Sequence, residues 1–158
     1  MPQMLVARQS CSSCVVNGHI YVFCGYNSTH RYLRSVEKLD LSKSDDQLEW
    51  KIIPYANLCS EFIARTCPLV CQLSSTEVLI MGGRSNGKQN DTFVMQIESD
   101  KIEHIATVGP LKFWSDNNAI FSVSDDKIMA LIYGNDRKAH LMEYTRGADT
   151  FITKESFQ

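Results

Sequence analysis

The sequence has no long apolar run and no excess of basic residues. Its longest apolar stretches, 78–81 and 128–133, are far shorter than the roughly 20 residues that a membrane-spanning helix needs. Asp plus Glu number 18 against 16 for Lys plus Arg, and the formal net charge is -2. A surface that neutralises nucleic-acid phosphates normally shows a clear basic excess. We therefore expect no membrane and no nucleic-acid partner.

The beginning of the sequence has no cationic region followed by a long apolar core, so no secretory signal is predicted and a cytoplasmic location is expected. In that reducing setting the six cysteines are expected to be free thiols rather than disulfides. A four-thiolate zinc site remains a less favoured alternative, because two cysteine pairs have suitable spacing: Cys11 with Cys14, and Cys67 with Cys71.

Common catalytic motifs are also missing. There is no Gly-x-Ser-x-Gly elbow, no phosphate-binding glycine loop and no His-Glu-x-x-His motif. The histidines, His19, His30, His104 and His140, show no paired metal-ligand spacing. We therefore expect no enzyme, no cofactor and no bound metal.

No stretch keeps an amphipathic helical pattern over several turns, and short β-rich segments separated by turn residues run through the whole chain. The sequence predicts an all-β fold. Asn17-Gly18 is typical of a tight hairpin turn, so the first two strands are expected to pair antiparallel. Twelve short strands are predicted, at 14–16, 20–23, 36–39, 50–53, 69–71, 77–81, 92–95, 101–105, 119–121, 128–132, 141–144 and 151–153.

The pattern repeats. Arg8 precedes the first two strands and Gly25 follows them 17 positions later, whereas Arg65 precedes the next such pair and Gly83 follows 18 positions later. A weaker third copy ends at Gly134, so the glycines are separated by 58 and then 51 positions. Periods of roughly 20 to 50 residues mark repeat architectures. Each copy holds four of the predicted strands.

An arginine before the first strand, a glycine pair after the second, and large side chains on the third and fourth resemble the kelch repeat of β-propellers. The resemblance implies a single region, 1–158, of about three four-stranded antiparallel blades, at 4–57, 58–108 and 109–158. Trp50, Ile105 and Phe151 are expected to pack between blades. The chain departs from the family at Cys24 and Tyr133, where the first glycine is expected, and at Asp116, where arginine is expected.

The resemblance implies a protein-interaction module, whose loops on one rim recruit a partner protein or an acidic peptide. Arginine there pairs well with a carboxylate, although Arg8 and Arg65 fit equally well as donors to loop carbonyls. The residues that match the family's partner-contacting positions are Arg8, Tyr26, Asn27, Arg65, Arg84, Ser85 and Asn86.

Two alternatives remain open. One is a partial propeller enzyme of the copper oxidase type, and the other is an architectural subunit docked in a larger assembly. Three blades leave two open edges, since propellers typically have about four to eight blades. A homodimer or a hetero-assembly that completes the propeller is therefore also considered.

Overall fold

The described residues of the chain form β-sheets and two 3-10 turns. The computed structural model describes residues 2–29, 31–87, 89, 91–107, 118–133, 137–148 and 150–157. The 3-10 turns are Asp45–Gln47 and Tyr55–Asn57. Within the described ranges, no helix is both long enough and apolar enough to span a membrane.

Fourteen strands are present among the described residues. They are β1 Ser12–Val16, β2 His19–Phe23, β3 Tyr26–Asn27, β4 Arg31–Tyr32, β5 Val36–Asp40, β6 Trp50–Ile52, β7 Leu69–Ser74, β8 Glu77–Met81, β9 Asp91–Gln96, β10 Lys101–Thr107, β11 Ala119–Ser124, β12 Lys127–Tyr133, β13 Ala139–Thr145 and β14 Thr150–Phe157. The all-β prediction is confirmed. Each of the twelve predicted strands coincides with one of these, and only the short β3–β4 hairpin was not predicted.

Twelve of the strands form three antiparallel sheets of four. Their orders are β1-β2-β5-β6, β7-β8-β9-β10 and β11-β12-β13-β14, named here blades one, two and three. Strand β7 contacts both β1 and β11, so the first strands of the blades lie side by side. The turn between β1 and β2 is at Asn17 and Gly18, with φ of 47° and 72°, as the sequence predicts.

Each blade has two faces, because side chains alternate along a strand. The leading face points toward the preceding copy of the repeat and the trailing face toward the next copy. Tyr21 and Phe23 on the trailing face of blade one pack against Val78 and Ile80 on the leading face of blade two. The trailing face of blade two packs in the same way against Ile128, Ala130, Ile132 and Tyr144 of blade three. Burial between successive blades therefore holds the sheets together.

Strand register identifies equivalent side chains on the three leading faces. Ile20, Leu39 and Trp50 are cross-strand neighbours in blade one. The corresponding trios are Val78, Met95 and Ile102 in blade two, and Ile128, Tyr144 and Phe151 in blade three.

The expected packing between blades is correct for Phe151 and for Ile105, which both pack against the cluster between blades two and three, and it is wrong for Trp50. In strand register, however, the fourth-strand residue equivalent to Trp50 is different from the expected one. Ile102, not Ile105, is equivalent to Trp50. Trp50 itself does not lie between blades one and two, because it is on the outer face of blade one. There its side chain packs with Met4 and Leu48, and its Nε1 donates to the carbonyl of Pro2 at 3.2 Å.

The third copy also departs from the expected glycine alignment. When the three repeats are aligned on the turn between their first two strands, Ile132-Tyr133 of blade three is equivalent to Cys24-Gly25 of blade one and to Gly82-Gly83 of blade two. With no glycine pair there, strand β12 continues to Tyr133, and Ile132 is buried against blade two. Gly134 and Asp116, which were used in the expected alignment, lie outside the described residues.

Candidate partner-binding rim

Blades one and two build the same bridge at the end of the second strand. In blade one, the backbone of Gln9 donates to and accepts from that of Tyr26, at 2.9 and 2.8 Å. In blade two, Thr66 and Arg84 exchange the same pair of hydrogen bonds, at 2.8 and 2.9 Å. The residue that follows Gly25 or Gly83 is therefore fixed against the residue that follows Arg8 or Arg65.

A glycine is required at position 25 and at position 83 by this close approach. Gly25 and Gly83 have φ of 108° and 99°. A Cβ atom would lie 2.9 Å from the carbonyl oxygen of Gln9 at Gly25, and 2.8 Å from that of Thr66 at Gly83. At the first position of the pair, Cys24 adopts φ of 60° beside 65° for Gly82. Cys24 thus takes the backbone conformation of the glycine that it replaces.

The two bridges are joined to each other by backbone hydrogen bonds. The amide of Gly25 donates to the carbonyl of Arg65 at 2.9 Å, and the amide of Cys67 donates to that of Ser10 at 2.7 Å. The residues that flank the glycines in blades one and two therefore form one continuous rim. We define it as residues 7–10, 25–28, 65–67 and 83–86.

The guanidinium of Arg8 forms its hydrogen bonds with groups inside the protein. Its side chain is 1% exposed, and Nη2 pairs with Oε1 of Glu37 at 2.5 Å. Nη1 donates to the carbonyls of Cys24 and Ser35 at 2.7 and 3.0 Å. The same Glu37 carboxylate accepts the amides of Leu5 and Val6, at 2.8 and 3.1 Å. This group of contacts ties the segment before β1 to the middle of blade one.

Arg65 occupies the matching place in blade two and is completely buried. Nη1 donates to the carbonyl of Gly82 at 2.9 Å, and Nε donates to that of Ile63 at 3.1 Å. The guanidinium also lies over the rings of Phe62 and Phe93, and burial lowers its pKa. Two roles were considered from the sequence for these arginines. In the structure both arginines donate to loop carbonyls.

The other five predicted site residues reach the surface of the rim. Arg84 and Asn86 are exposed, whereas Tyr26, Asn27 and Ser85 are half-buried. The Tyr26 ring meets that of Tyr32 edge to face, and Asn27 Nδ2 donates to the carbonyl of Ala7 at 3.2 Å. Whether these residues contact a partner stays a prediction.

An open groove of about 330 Å³ runs beside Tyr26 and Asn27. Sequence reasoning missed part of its lining, namely Ala7, Gln9 and Ser28. The sequence signal that could have identified Gln9 is its position directly after Arg8, which matches the position of Thr66 directly after Arg65. It also missed Glu37, a charged side chain in a strand whose neighbours, Val36 and Leu39, are buried.

Three cysteine thiols lie near the interior, two on the first strands of blades one and two and one directly after β2. Burial raises the pKa of Cys14 and of Cys24 to about 12, and it also raises that of Cys71. All six cysteines are unpaired, so these three are protonated thiols near neutral pH. Within the described part of the chain, no group of three metal-ligating side chains is close enough to hold an ion.

Comparison with known proteins gives one family. Residues 7–55, which include blade one, match the Kelch motif. No curated protein matches the chain. Kelch repeats are typical of protein-interaction modules, and the three four-stranded antiparallel sheets are consistent with blades of a partial propeller. Residues 7–55 of the chain therefore carry a kelch motif.

Proposed function

We propose that the rim of blades one and two binds an acidic segment of a protein partner. The observation that carries this proposal is the repeated bridge, which holds Tyr26 and Arg84 at equivalent positions of adjacent blades. Residues held in this way lose little conformational freedom when a partner binds, which favours affinity. The groove beside Tyr26 gives an extended segment a place to lie.

The preference for an acidic segment depends on Arg84. The side chains of Arg8 and Arg65 are buried and bond to groups inside the protein. Of the three arginines predicted at the rim, Arg84 is the one whose side chain is exposed. A guanidinium at such a position makes charge-assisted, bidentate hydrogen bonds with a carboxylate. The aromatic ring of Tyr26 on the adjacent blade adds apolar contact area. A segment that pairs a carboxylate with an apolar side chain fits both.

An array of synthetic peptides tests the proposal. Each peptide contains Asp or Glu next to an apolar residue, and a matched copy has Asn or Gln in place of the acid. We expect the wild-type chain to retain the acidic peptides and not the amide copies. Arg84→Glu should abolish retention, and Tyr26→Ala should weaken it.

Lys43→Glu is the control, because Lys43 is exposed in the loop between β5 and β6, at the opposite end of the strands. It makes the same charge change and should leave retention intact. Equal retention of acidic and amide peptides, or equal losses in Arg84→Glu and Lys43→Glu, would contradict the proposal.

A further inference from the structure

The sequence contains two Asn-Gly pairs, and both lie in connections between strands. Asn17-Gly18 joins β1 to β2, and Asn86-Gly87 lies between β8 and β9, at the end of the rim segment 83–86. All four residues are exposed. An asparagine before glycine reacts readily with its own backbone, because glycine has no side chain to hinder the approach of its amide nitrogen. The two pairs share this chemistry and differ in the backbone that holds them.

The reaction is an intramolecular loss of ammonia. The backbone nitrogen of the glycine attacks Cγ of the asparagine, so that a new C–N bond forms. The side-chain nitrogen leaves as ammonia and takes the proton of the glycine amide. The product is a five-membered succinimide ring, which water opens to aspartate or isoaspartate. Either product carries one negative charge that asparagine lacks, and water is the co-reactant.

The hairpin turn restrains Asn17. Ring closure requires rotation of the peptide group between asparagine and glycine, so that the glycine nitrogen reaches Cγ. Val16 and His19, which flank the turn, are the last pair in a ladder of five residue pairs between β1 and β2. The carbonyl of Gly18 also accepts the amide of Leu41 at 2.8 Å. Rotation at Asn17 therefore requires the end of the ladder to open, which costs free energy.

Asn86 is held by fewer contacts. It lies at the tip of a turn from Ser85 to Gly87 that belongs to no strand. Within the described part of the chain, one backbone hydrogen bond closes this turn, from the amide of Ser85 to the carbonyl of Gly87 at 2.9 Å. Among the same residues, no hydrogen bond engages the Asn86 side chain or the Gly87 amide. The two reacting groups are therefore accessible, and their approach breaks little structure.

We propose that Asn86 deamidates spontaneously, and that the added negative charge weakens the binding of an acidic segment at the rim. The new carboxylate is two positions from Arg84, whose exposed guanidinium is the proposed partner of the segment's carboxylate. An anionic neighbour competes for that guanidinium and repels the segment. This effect on binding rests on the proposed function, whereas the deamidation itself does not. The affinity of the rim then falls with the age of the molecule.

Mass spectrometry of the whole chain, digested after incubation at slightly alkaline pH, tests the deamidation. The aspartate and isoaspartate forms of the peptides that contain Asn17 and Asn86 are followed over time. We expect Asn86 to convert at least about fivefold faster than Asn17, the factor that a small difference in local stability produces. The urea-unfolded chain is the control, in which the two rates should be similar. Equal rates in the folded chain, or an unconverted Asn86, would overturn the proposal.

The effect on binding is measured with the array of acidic and amide peptides. Aged wild-type chain should lose most of its retention of the acidic peptides, and fresh Asn86→Asp should show the same loss. Asn86→Gln is the matched control, because glutamine forms the corresponding six-membered ring much more slowly. Its retention, whatever the starting level, should be the same in fresh and aged samples.

Two results would count against the effect on binding, and they differ in what else they exclude. If aged chain with converted Asn86 retains the acidic peptides as strongly as fresh chain, the added charge does not regulate the rim. If fresh wild-type chain retains no acidic peptide, the proposed function fails and the effect on binding fails with it. In both cases the mass measurement alone decides the deamidation.

Discussion

The guanidinium carbon of Arg65 lies 4.8 Å from the centroid of the Phe93 ring, at the place where Arg8 of blade one meets the carboxylate of Glu37. Strand register makes Glu37 and Phe93 equivalent, because Glu37 pairs with Val22 and Phe93 with Ile80. The same arginine is thus held by a charge in one blade and by an aromatic face in the next.

Replacing Phe93 by leucine should weaken blade two beyond the loss of packing alone. Leucine fills much of the same space but has no ring face for the Arg65 guanidinium, and a desolvated contact of this type contributes about 0.5–2 kcal/mol. The matched control is Phe23→Leu, since Phe23 is buried in the same cluster. Urea denaturation should show a larger loss for Phe93→Leu. Equal losses would mean that the ring contributes only apolar contact.

Replacing Glu37 by glutamine should destabilise blade one strongly. It keeps the shape of the side chain but leaves the buried Arg8 guanidinium without its counter-charge, a change that costs about 3–5 kcal/mol. The double variant Glu37→Gln with Arg8→Met removes both charges and should recover part of the loss. Glu49→Gln is the control, because Glu49 pairs with Lys51 on the surface, and it should have little effect. If the double variant is the least stable, charge pairing is not the cause.

Alanine at Gly83 and alanine at Gly18 separate backbone strain from steric conflict. Both glycines have positive φ, 99° and 72°, so both substitutions carry a conformational cost of about 1–3 kcal/mol. Only at Gly83 does the new Cβ meet a backbone atom, the carbonyl oxygen of Thr66 at 2.8 Å, whereas Gly18 has open space. Thermal denaturation should show a clearly larger loss for Gly83→Ala. Equal losses would show that the bridge moves aside freely.

The stability of the protein should fall as the pH rises from 9 toward 12. Burial raises the pKa of Cys24 and Cys14 from 9.0 to about 12, so the folded state keeps a thiol proton that the unfolded state loses in this range. Each such thiol contributes a decrease of about 1.4 kcal/mol per pH unit. Its contribution is intact below pH 9 and is lost as the pH rises toward the folded-state value.

The variant Cys24→Gly removes one of these thiols and also places glycine at a left-handed backbone position. Its unfolding free energy, measured by urea denaturation across the same range, should fall less steeply with pH than that of the wild-type chain. Parallel curves would exclude Cys24 as a source of the pH dependence.

The strands were predictable because their signals are local. β-Rich segments such as 77–81, and turns such as Asn17-Gly18, do not depend on what packs above them. Gly25 and the Gly82-Gly83 pair were predictable for the same reason, since a tight approach of backbone segments requires glycine whatever the surroundings. Glycine also explains where the prediction failed, because the weak third copy was aligned on Gly134 although its strand simply continues through Ile132 and Tyr133.

The roles of the side chains were harder to predict, because they depend on contacts between distant segments. Sequence alone does not tell an arginine that faces a partner from one that donates to the carbonyls of Cys24 or Gly82. The location of Trp50 depends on residues 2–6, whose position over blade one is fixed by hydrogen bonds to Glu37 and Trp50. A shift of one residue in a strand likewise moves every side chain to the other face.

Because Arg8 and Arg65 have different partners, blade one and blade two cannot be exchanged for each other. A graft of β5 from blade one into blade two would set a carboxylate among the apolar side chains around Arg65. The reverse graft would leave the amides of Leu5 and Val6 without their acceptor. Any duplication of one blade within this chain would therefore have to change an arginine's partner and its surroundings together.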